Sequence, residues 1–415
     1  MKFKVHKNDL LAATAVVGVV TPSPITSSDS MEGVAYLFNV KDDTCEVYST
    51  DVQRVARASF KVSDVEKEDG EGSFTFPAAL AASLQHAGDI LSFEVVAKAE
   101  GHTVSHSSDH GSAETSTIDP RMVSTRDKDY AAATDVQEFP TAILVEALSG
   151  SRPYLAKYTG EVSTWNTAQM FDKNVKDFAK GDGFLQTSDG TRSFYFKTDI
   201  FKGKHMALFS EHLPSIISFL GKCGKTVKLR IGKGYSFLED ETGAFLGWTH
   251  LAEVFPKFTY YHRKYDQYVL MVDRAALLGC LNLVRPYLGK STKMRVTFDL
   301  DKSTLVFHAA ASSSKGTSHL PVELTHHNTD VGEGGGHVGG FAANVHFEHF
   351  MKLVDSMRSH QVELRVYLVT KDGRETALFR TIDEYLLDDA GKVEADSTKD
   401  GVHKCVLTRY MPSYL

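Results

Sequence analysis

Two rhythms of apolar residues run through the chain. Alternation at every second position, in "VKLRI", "MRVTFDL", "TLVFHA" and "VELRVYLV", predicts strands with one buried face. A period near 3.6, carried by Phe347, Phe350, Met351, Val354 and Met357, predicts an amphipathic helix. The order in which these rhythms follow one another repeats. Three segments, "MKFKVHKNDLLAATAVVGVV", "QEFPTAILVEALSGSRPYL" and "QYVLMVDRAALLGCLNLVRPYL", lead from an extended stretch into a short helix. Three more place a strand, a helix and a strand about half a domain later: "GSFTFPAALAASLQHAGDILSFEVV", "KHMALFSEHLPSIISFLGKCGKTVKLRIG" and "GGFAANVHFEHFMKLVDSMRSHQVELRVYLV". Any α+β chain shows some such succession, but six occurrences in matched order predict three domains of two strand-helix-strand units each. The boundaries fall at the polar connections "AAATDVQ" and "YHRKYDQ", giving 1–134, 135–262 and 263–415. Asn8 and Asp273 are expected helix N-caps, and Pro140 is expected in a first helical turn.

Composition narrows the class. With 42% apolar and 24% charged residues in 415, the chain has the make-up of a soluble globular protein. No stretch approaches the roughly 18 uninterrupted apolar residues of a membrane span, and the first residues lack the apolar block of a signal peptide, so a cytoplasmic location is expected. Cys45, Cys223, Cys280 and Cys405 are far apart with no CxxC pair, the pattern of reduced structural thiols. The net charge of −7 argues against a surface that coats nucleic acid everywhere. The signs are segregated, however. Arg274, Arg285, Lys290, Lys293 and Arg295 occur with no acid between them, whereas "DVEKEDGE" and "DEYLLDDAGKVEAD" are acidic runs. One basic surface on an acidic body is the expectation.

Candidate chemistry is thin. "LGKST" at Leu288 to Thr292 resembles the end of a phosphate-binding loop, but Val284 stands where its first glycine is required. His102, His106 and His110 would align as metal ligands on a helix, yet the surrounding Ser, Gly and Asp favour a loop with solvated imidazoles. His346 and His349 share a helix with no third ligand, so a surface role is their default. No catalytic constellation can be singled out, and neither a metal nor a cofactor is expected. A β-rich structural or virion protein would fit the strands and loops, but not the six helix-bearing units.

Taken together, the motifs resemble the bacterial type of DNA polymerase sliding clamp, the beta subunit of the replicative polymerase. The chain opens "MKFKV", carries "STDVQRVARASFKV" in its first domain and "TSDGTRSFYF" in its second, closes the second on "VFPKFTYY", and ends "MPSYL", all in the family's order. Added length around 99–129, 159–180, 308–340 and 383–401 reads as extra loops of the sort a phage-encoded member would carry.

The resemblance implies a head-to-tail dimeric ring, helices inside and sheets outside, that encircles duplex DNA without reading its sequence and tethers the polymerase. It implies no catalytic site. Phosphate contacts would come from Arg152, Lys157, Lys222, Lys225, Arg274, Arg285, Lys290, Lys352 and Arg358, each of which alone is an ordinary solvated base. Leu283 and Val284 would contribute to the ring interface. The apolar tail "RYMPSYL", unusual for a chain end, would form one wall of a cleft that receives a short peptide from polymerase or clamp loader. That cleft would use Ser188, Gly190, Thr191, Arg192, Ser193, Pro256, Tyr261, Tyr410, Met411, Pro412 and Ser413.

Overall fold

The computed structural model describes residues 1–20, 35–51, 53–67, 72–99, 101–117, 119–156, 167–171, 183–189, 192–203, 206–249, 267–327, 340–371, 374–387, 392–394 and 403–414. Helices are few and short: α1 (Lys7–Val17), α2 (Ala78–Ser83), α3 (Asp127–Ala132), α4 (Thr141–Ser151), α5 (Leu213–Leu220), α6 (Arg274–Val284) and α7 (Phe347–Asp355). Six of them stand where the repeated pattern predicts them, and α3 is additional. Among the described residues no helix is long and apolar enough to cross a membrane.

The chain divides into two compact units, one of residues 1–145 with 211–252 and the other of 146–210 with 253–415. The division falls inside the predicted middle domain, because sheets run on past the predicted boundaries. In the first unit, an eight-stranded sheet orders Asp135–Pro140, Thr226–Ile231, Tyr235–Asp240, Phe245–Thr249, Arg54–Lys61, Thr44–Thr50, Ala35–Val40 and Ser73–Pro77. Its continuity rests on the antiparallel register Phe245↔Arg57 to Trp248↔Arg54. A five-stranded sheet accompanies it, in the order Ser63–Glu66, Lys2–His6, Ile90–Lys98, Gly101–Ser108 and Gly111–Thr117, with the last strand at an edge.

Leu10, Ala13, Thr14 and Val17 of α1 are buried, the i, i+3, i+4, i+7 spacing of one helical face. The strands supply a cluster of phenylalanines, with Phe3 stacked on Phe93 at 5.1 Å and Phe38 on Phe74 at 5.1 Å. Helix α1 begins at Lys7, whose amide donates to the Asp89 carbonyl at 2.8 Å, and the capping position is His6 with no side-chain bond. Asn8 is therefore inside the helix and is no cap: the strand Lys2–His6 feeds the helix directly, and a neighbouring backbone carbonyl satisfies the first orphan donor.

In the second unit, one branched sheet of fourteen described strands includes the run Met206–Phe209, Thr167–Phe171, Phe184–Ser188, Ser193–Lys197, His403–Tyr414, Gly340–His346, Lys293–Asp299, Thr304–Ala310 and Lys315–Pro321. A branch joins Glu323–His327, Tyr268–Asp273, Gln361–Lys371 and Arg374–Leu387, which returns to pair with His403–Tyr414. Helices α6 and α7 bury Leu277, Leu281 and Val284, and Phe347, Phe350, Leu353 and Val354, in a common apolar core. Asp273 caps α6 as expected, its Oδ1 accepting from the Ala276 amide at 2.7 Å. Pro140 is the last residue of the strand before α4.

Two of the supposed extra loops contain strands of the sheets. Residues 99–129 contain the hairpin Gly101–Ser108 with Gly111–Thr117, and 308–340 contain Lys315–Pro321 and Glu323–His327. His102 and His106 accordingly lie half-buried on a strand and not in a solvated loop, whereas His110 is exposed in the turn that follows. His106 packs edge-on to Phe76 at 5.9 Å, and burial lowers its pKa.

Candidate functional site

The reversal between Ser188 and Ser193 is built around Asp189 and Arg192. Strands Phe184–Ser188 and Ser193–Lys197 pair from Ser188↔Ser193 onward, so the chain must reverse between them. Asp189 makes the reversal specific: its carboxylate accepts from the Arg192 amide at 2.7 Å and from Arg192 Nε and Nη2 at 2.8 and 2.6 Å. Ser188 Oγ closes the turn on the Arg192 carbonyl at 2.7 Å. The guanidinium, fixed in this fork, also donates to the Pro153 carbonyl at 3.0 Å and sits 5.6 Å from the centre of the Tyr154 ring.

The same Asp-x-x-Arg device occurs in the first unit in "STDVQR". There the Asp51 carboxylate accepts from the Arg54 amide and Nε, both at 2.7 Å. Arg54 Nη1 then reaches Ser215 Oγ at 2.6 Å on α5 and the Glu211 carbonyl at 3.3 Å. Next to it His212, 2% exposed, has its pKa lowered to about 4, first by burial and then by the Arg54 charge, with Asp51 opposing.

The C-terminal strand lies against the Arg192 turn. Its residues Val406 to Tyr410 pair with Lys197 to Ser193, the last pair being Tyr410↔Ser193, while its opposite edge pairs with Arg374–Leu387 along its whole length. Met411, Pro412 and Ser413 stand opposite Phe379, Leu378 and Ala377, and Tyr414 also pairs with Asn344. Pro412 thus falls just beyond the stretch paired with Ser193–Lys197, where a missing backbone N–H costs the ladder least. Ser188, Arg192, Ser193 and the tail segment Tyr410 to Ser413 are thereby brought together. Gly190, Thr191, Pro256 and Tyr261 lie outside the described residues.

Two residues not assigned from the sequence join this place. The rings of His346 and His349 stack at 4.0 Å, and His349 feels both Arg192 and Asp189. Burial, then the Arg192 and His346 charges, depress its pKa to about 4. The available signal was positional: both imidazoles stand at the junction where a strand enters α7.

The basic candidates separate by what they touch. Arg152, Lys225, Lys290 and Lys352 are exposed. Lys222 is exposed and its Nζ donates to the Ala15 carbonyl at 2.7 Å. Arg274 donates to the Asp355 carbonyl at 3.0 Å, tying the start of α6 to the end of α7. Arg285 is 3.4 Å from Glu348, and Arg358 is engaged bidentately by Glu146 at 3.0 and 2.6 Å. Lys157 lies outside the described residues. On α1, Lys7 is half-buried and donates to the Ala87 carbonyl at 2.7 Å.

The expected interface pair splits. Leu283 is 59% exposed, but Val284 is 0% exposed within its own core, so it has no surface to offer a partner. Helical phase explains the correction: Leu277, Leu281, Val284 and Leu288 follow the buried stripe, and position 283 rotates outward.

Neither a family model nor a curated protein matches the chain in sequence. Its structure, in contrast, is similar over 100% of both chains to DNA polymerase III subunit beta from Pseudomonas aeruginosa, with a TM-score of 0.72 and 14% identity. Caulobacter crescentus pol III beta gives 0.72 and 14%, again over 100% of both chains. The DNA polymerase III beta subunit of Thermotoga maritima gives 0.69 and 13%, over 100% of this chain and 99% of that one. Identity at this level speaks for architecture, and the agreement runs from end to end. The chain has the fold of the DNA polymerase III beta-subunit sliding clamps.

Proposed function

We propose that this protein is a DNA sliding clamp, a non-catalytic processivity factor that encircles duplex DNA and holds a replicative polymerase to it. The observation that carries the reading is the full-length match in fold to beta-subunit clamps, joined to six strand-helix-strand units in the predicted order. Three clamp domains, 1–134, 135–262 and 263–415, would close with a second copy into a head-to-tail dimer. The strand Gly111–Thr117 ends one sheet and Lys315–Pro321 ends another. Among the described residues nothing pairs with these two edges; such edges are templates for another chain, and pairing one copy's first edge with the other copy's second would close a ring. Leu283 would add apolar contact at that seam.

A closed ring holds DNA by linkage, so its contacts with phosphate need only be weak and independent of sequence. Exposed Arg152, Lys225, Lys290 and Lys352 suit this role. Arg285 and Arg358 would have to leave Glu348 and Glu146 to take part. Polymerase and clamp loader would dock a peptide beside the Arg192 turn and the Tyr410 to Ser413 segment, and the protein would act in the cytoplasm. Sedimentation without DNA tests the assembly: a stable dimer is expected, and a monomer or a large polymer would overturn the ring.

A further inference from the structure

The basic run noted in the sequence does not form one surface. Arg274 opens α6 and Arg285 follows its end, whereas Lys293 and Arg295 are carried onto the strand Lys293–Asp299. That strand alternates along its length. Met294, Val296 and Phe298 enter the core shared with α6 and α7, and Lys293 and Arg295 are exposed on the other face. The phosphate contacts proposed above sit on or just after helices, so these two bases have no part in them.

Cross-strand register gives their neighbours, because residues directly opposite in an antiparallel pair point to one side of the sheet. Arg295 stands between His308 and Asn344, and Lys293 stands opposite His346. His308 pairs in turn with Thr317, its Nδ1 3.0 Å from Thr317 Oγ1, and Lys315 is exposed two residues earlier on the same side. Lys293, Arg295 and Lys315 therefore share one face of four adjacent strands, the face turned away from α6 and α7. Its other positions hold Thr, Val, His, Ala, Asn, Gly and Pro, with Asp299 at the far end engaged by Lys302 at 2.8 Å. Among the described residues none of the three cations has a carboxylate partner.

An uncompensated cluster of this kind attracts anions, and its spacing says which. Lys293 and Arg295 are about 6.8 Å apart along the strand, and Lys315 stands two strands over, about 10 Å away. An extended peptide presents alternate side chains at the same repeat, so carboxylates at every second position meet Lys293 and Arg295 in step. Single-stranded nucleic acid fits less well. Its binding surfaces add aromatic platforms for the bases, and here Phe298, Phe307 and Phe341 all face the core. The face is also continuous with the C-terminal strand, since Asn344, beside Arg295, pairs with Tyr414. We propose that the face carrying Lys293, Arg295 and Lys315 receives an extended acidic segment of a partner protein, separately from any contact with DNA.

The test uses the full chain and a fluorescein-labelled peptide of about twelve residues alternating Glu and Thr, with Gln replacing Glu in the control, read by anisotropy. The Glu peptide should bind about tenfold more tightly than the Gln peptide and weaken as salt rises. Lys293→Gln combined with Arg295→Gln should lower its affinity about fivefold. Lys228→Gln combined with Lys233→Gln, equally exposed but on other strands and turns, should leave it unchanged. If the first variant fails to fold, the Glu and Gln peptides on the unaltered protein still decide. Equal binding of the two peptides, or Glu-peptide binding that survives the Lys293 and Arg295 substitutions, overturns the proposal. So does an oligothymidylate that binds more tightly than the Glu peptide and depends on the same two residues, which would make the face a nucleic-acid surface.

Discussion

Deleting Met411 to Leu415 separates the two tasks assigned to the C-terminal strand. The deletion removes the pairs Met411↔Phe379, Pro412↔Leu378, Ser413↔Ala377 and Tyr414↔Thr376, together with Tyr414↔Asn344. It leaves His403 to Tyr410 on Arg380 to Leu387, and all five pairs from Ser193↔Tyr410 to Lys197↔Val406. An antiparallel ladder carries about one hydrogen bond per residue pair, each worth about 1 kcal/mol net, and Pro412 donates none. The loss is therefore about 3–4 kcal/mol, confined to the end of one strand where fraying absorbs part of it. The truncated protein should fold, sediment as a dimer, and melt no more than about 10 °C lower. Stimulation of primer extension by its cognate polymerase should disappear, because one wall of the proposed docking cleft is gone. A truncated protein that sediments as a monomer, or one that still stimulates synthesis fully, would refute the reasoning.

Other perturbations address the fold, the acid limit and the seam. Gly340 has φ +107°, and a Cβ there would stand 1.9 Å from the Phe298 carbonyl oxygen, so Gly340→Ala should give little folded protein in a solubility and circular dichroism assay. His212 is held neutral when folded, with a pKa near 4 against the ordinary 6.5, so the unfolded chain binds the extra proton and stability falls as pH drops from 6.5 toward 4. Up to about 3 kcal/mol is at stake, and urea titrations should show a shallower acid loss in His212→Gln than in the parent. Leu283→Asp, at an exposed position, should give folded monomers on gel filtration, with a melting temperature close to that of the parent at matched pH.

Much of the architecture was legible because burial writes its period into sequence. The α6 and α7 stripes and the Asp273 cap are local, and local rules sufficed for them. What escaped depends on neighbours. The strands Gly101–Ser108 and Gly111–Thr117 form the edge hairpin of their sheet, so Ser, Thr, His and Glu occupy positions that apolar residues would hold in a central strand, and they read as loop. Asn8 looked like a cap because a remote carbonyl, that of Asp89, could not be foreseen. Leu283 and Val284 are adjacent in sequence but a hundred degrees apart around the helix, and that angle decides which one can meet a partner. At the proposed cleft, the Asp189–Arg192 pair was visible as a motif. The approach of His349 to Arg192 was not, since it joins segments more than a hundred residues apart through the tail strand between them.

The central claim is that this molecule holds DNA by encircling it. The direct measurement loads the protein onto singly nicked circular DNA with the proposed clamp loader, removes free protein by gel filtration, and then cuts half of the sample with a restriction enzyme. Encirclement predicts that protein stays with the circle through high salt and runs off the ends once the DNA is linear. Equal retention on the circular and the cut DNA, or salt-sensitive loss from both, would contradict it.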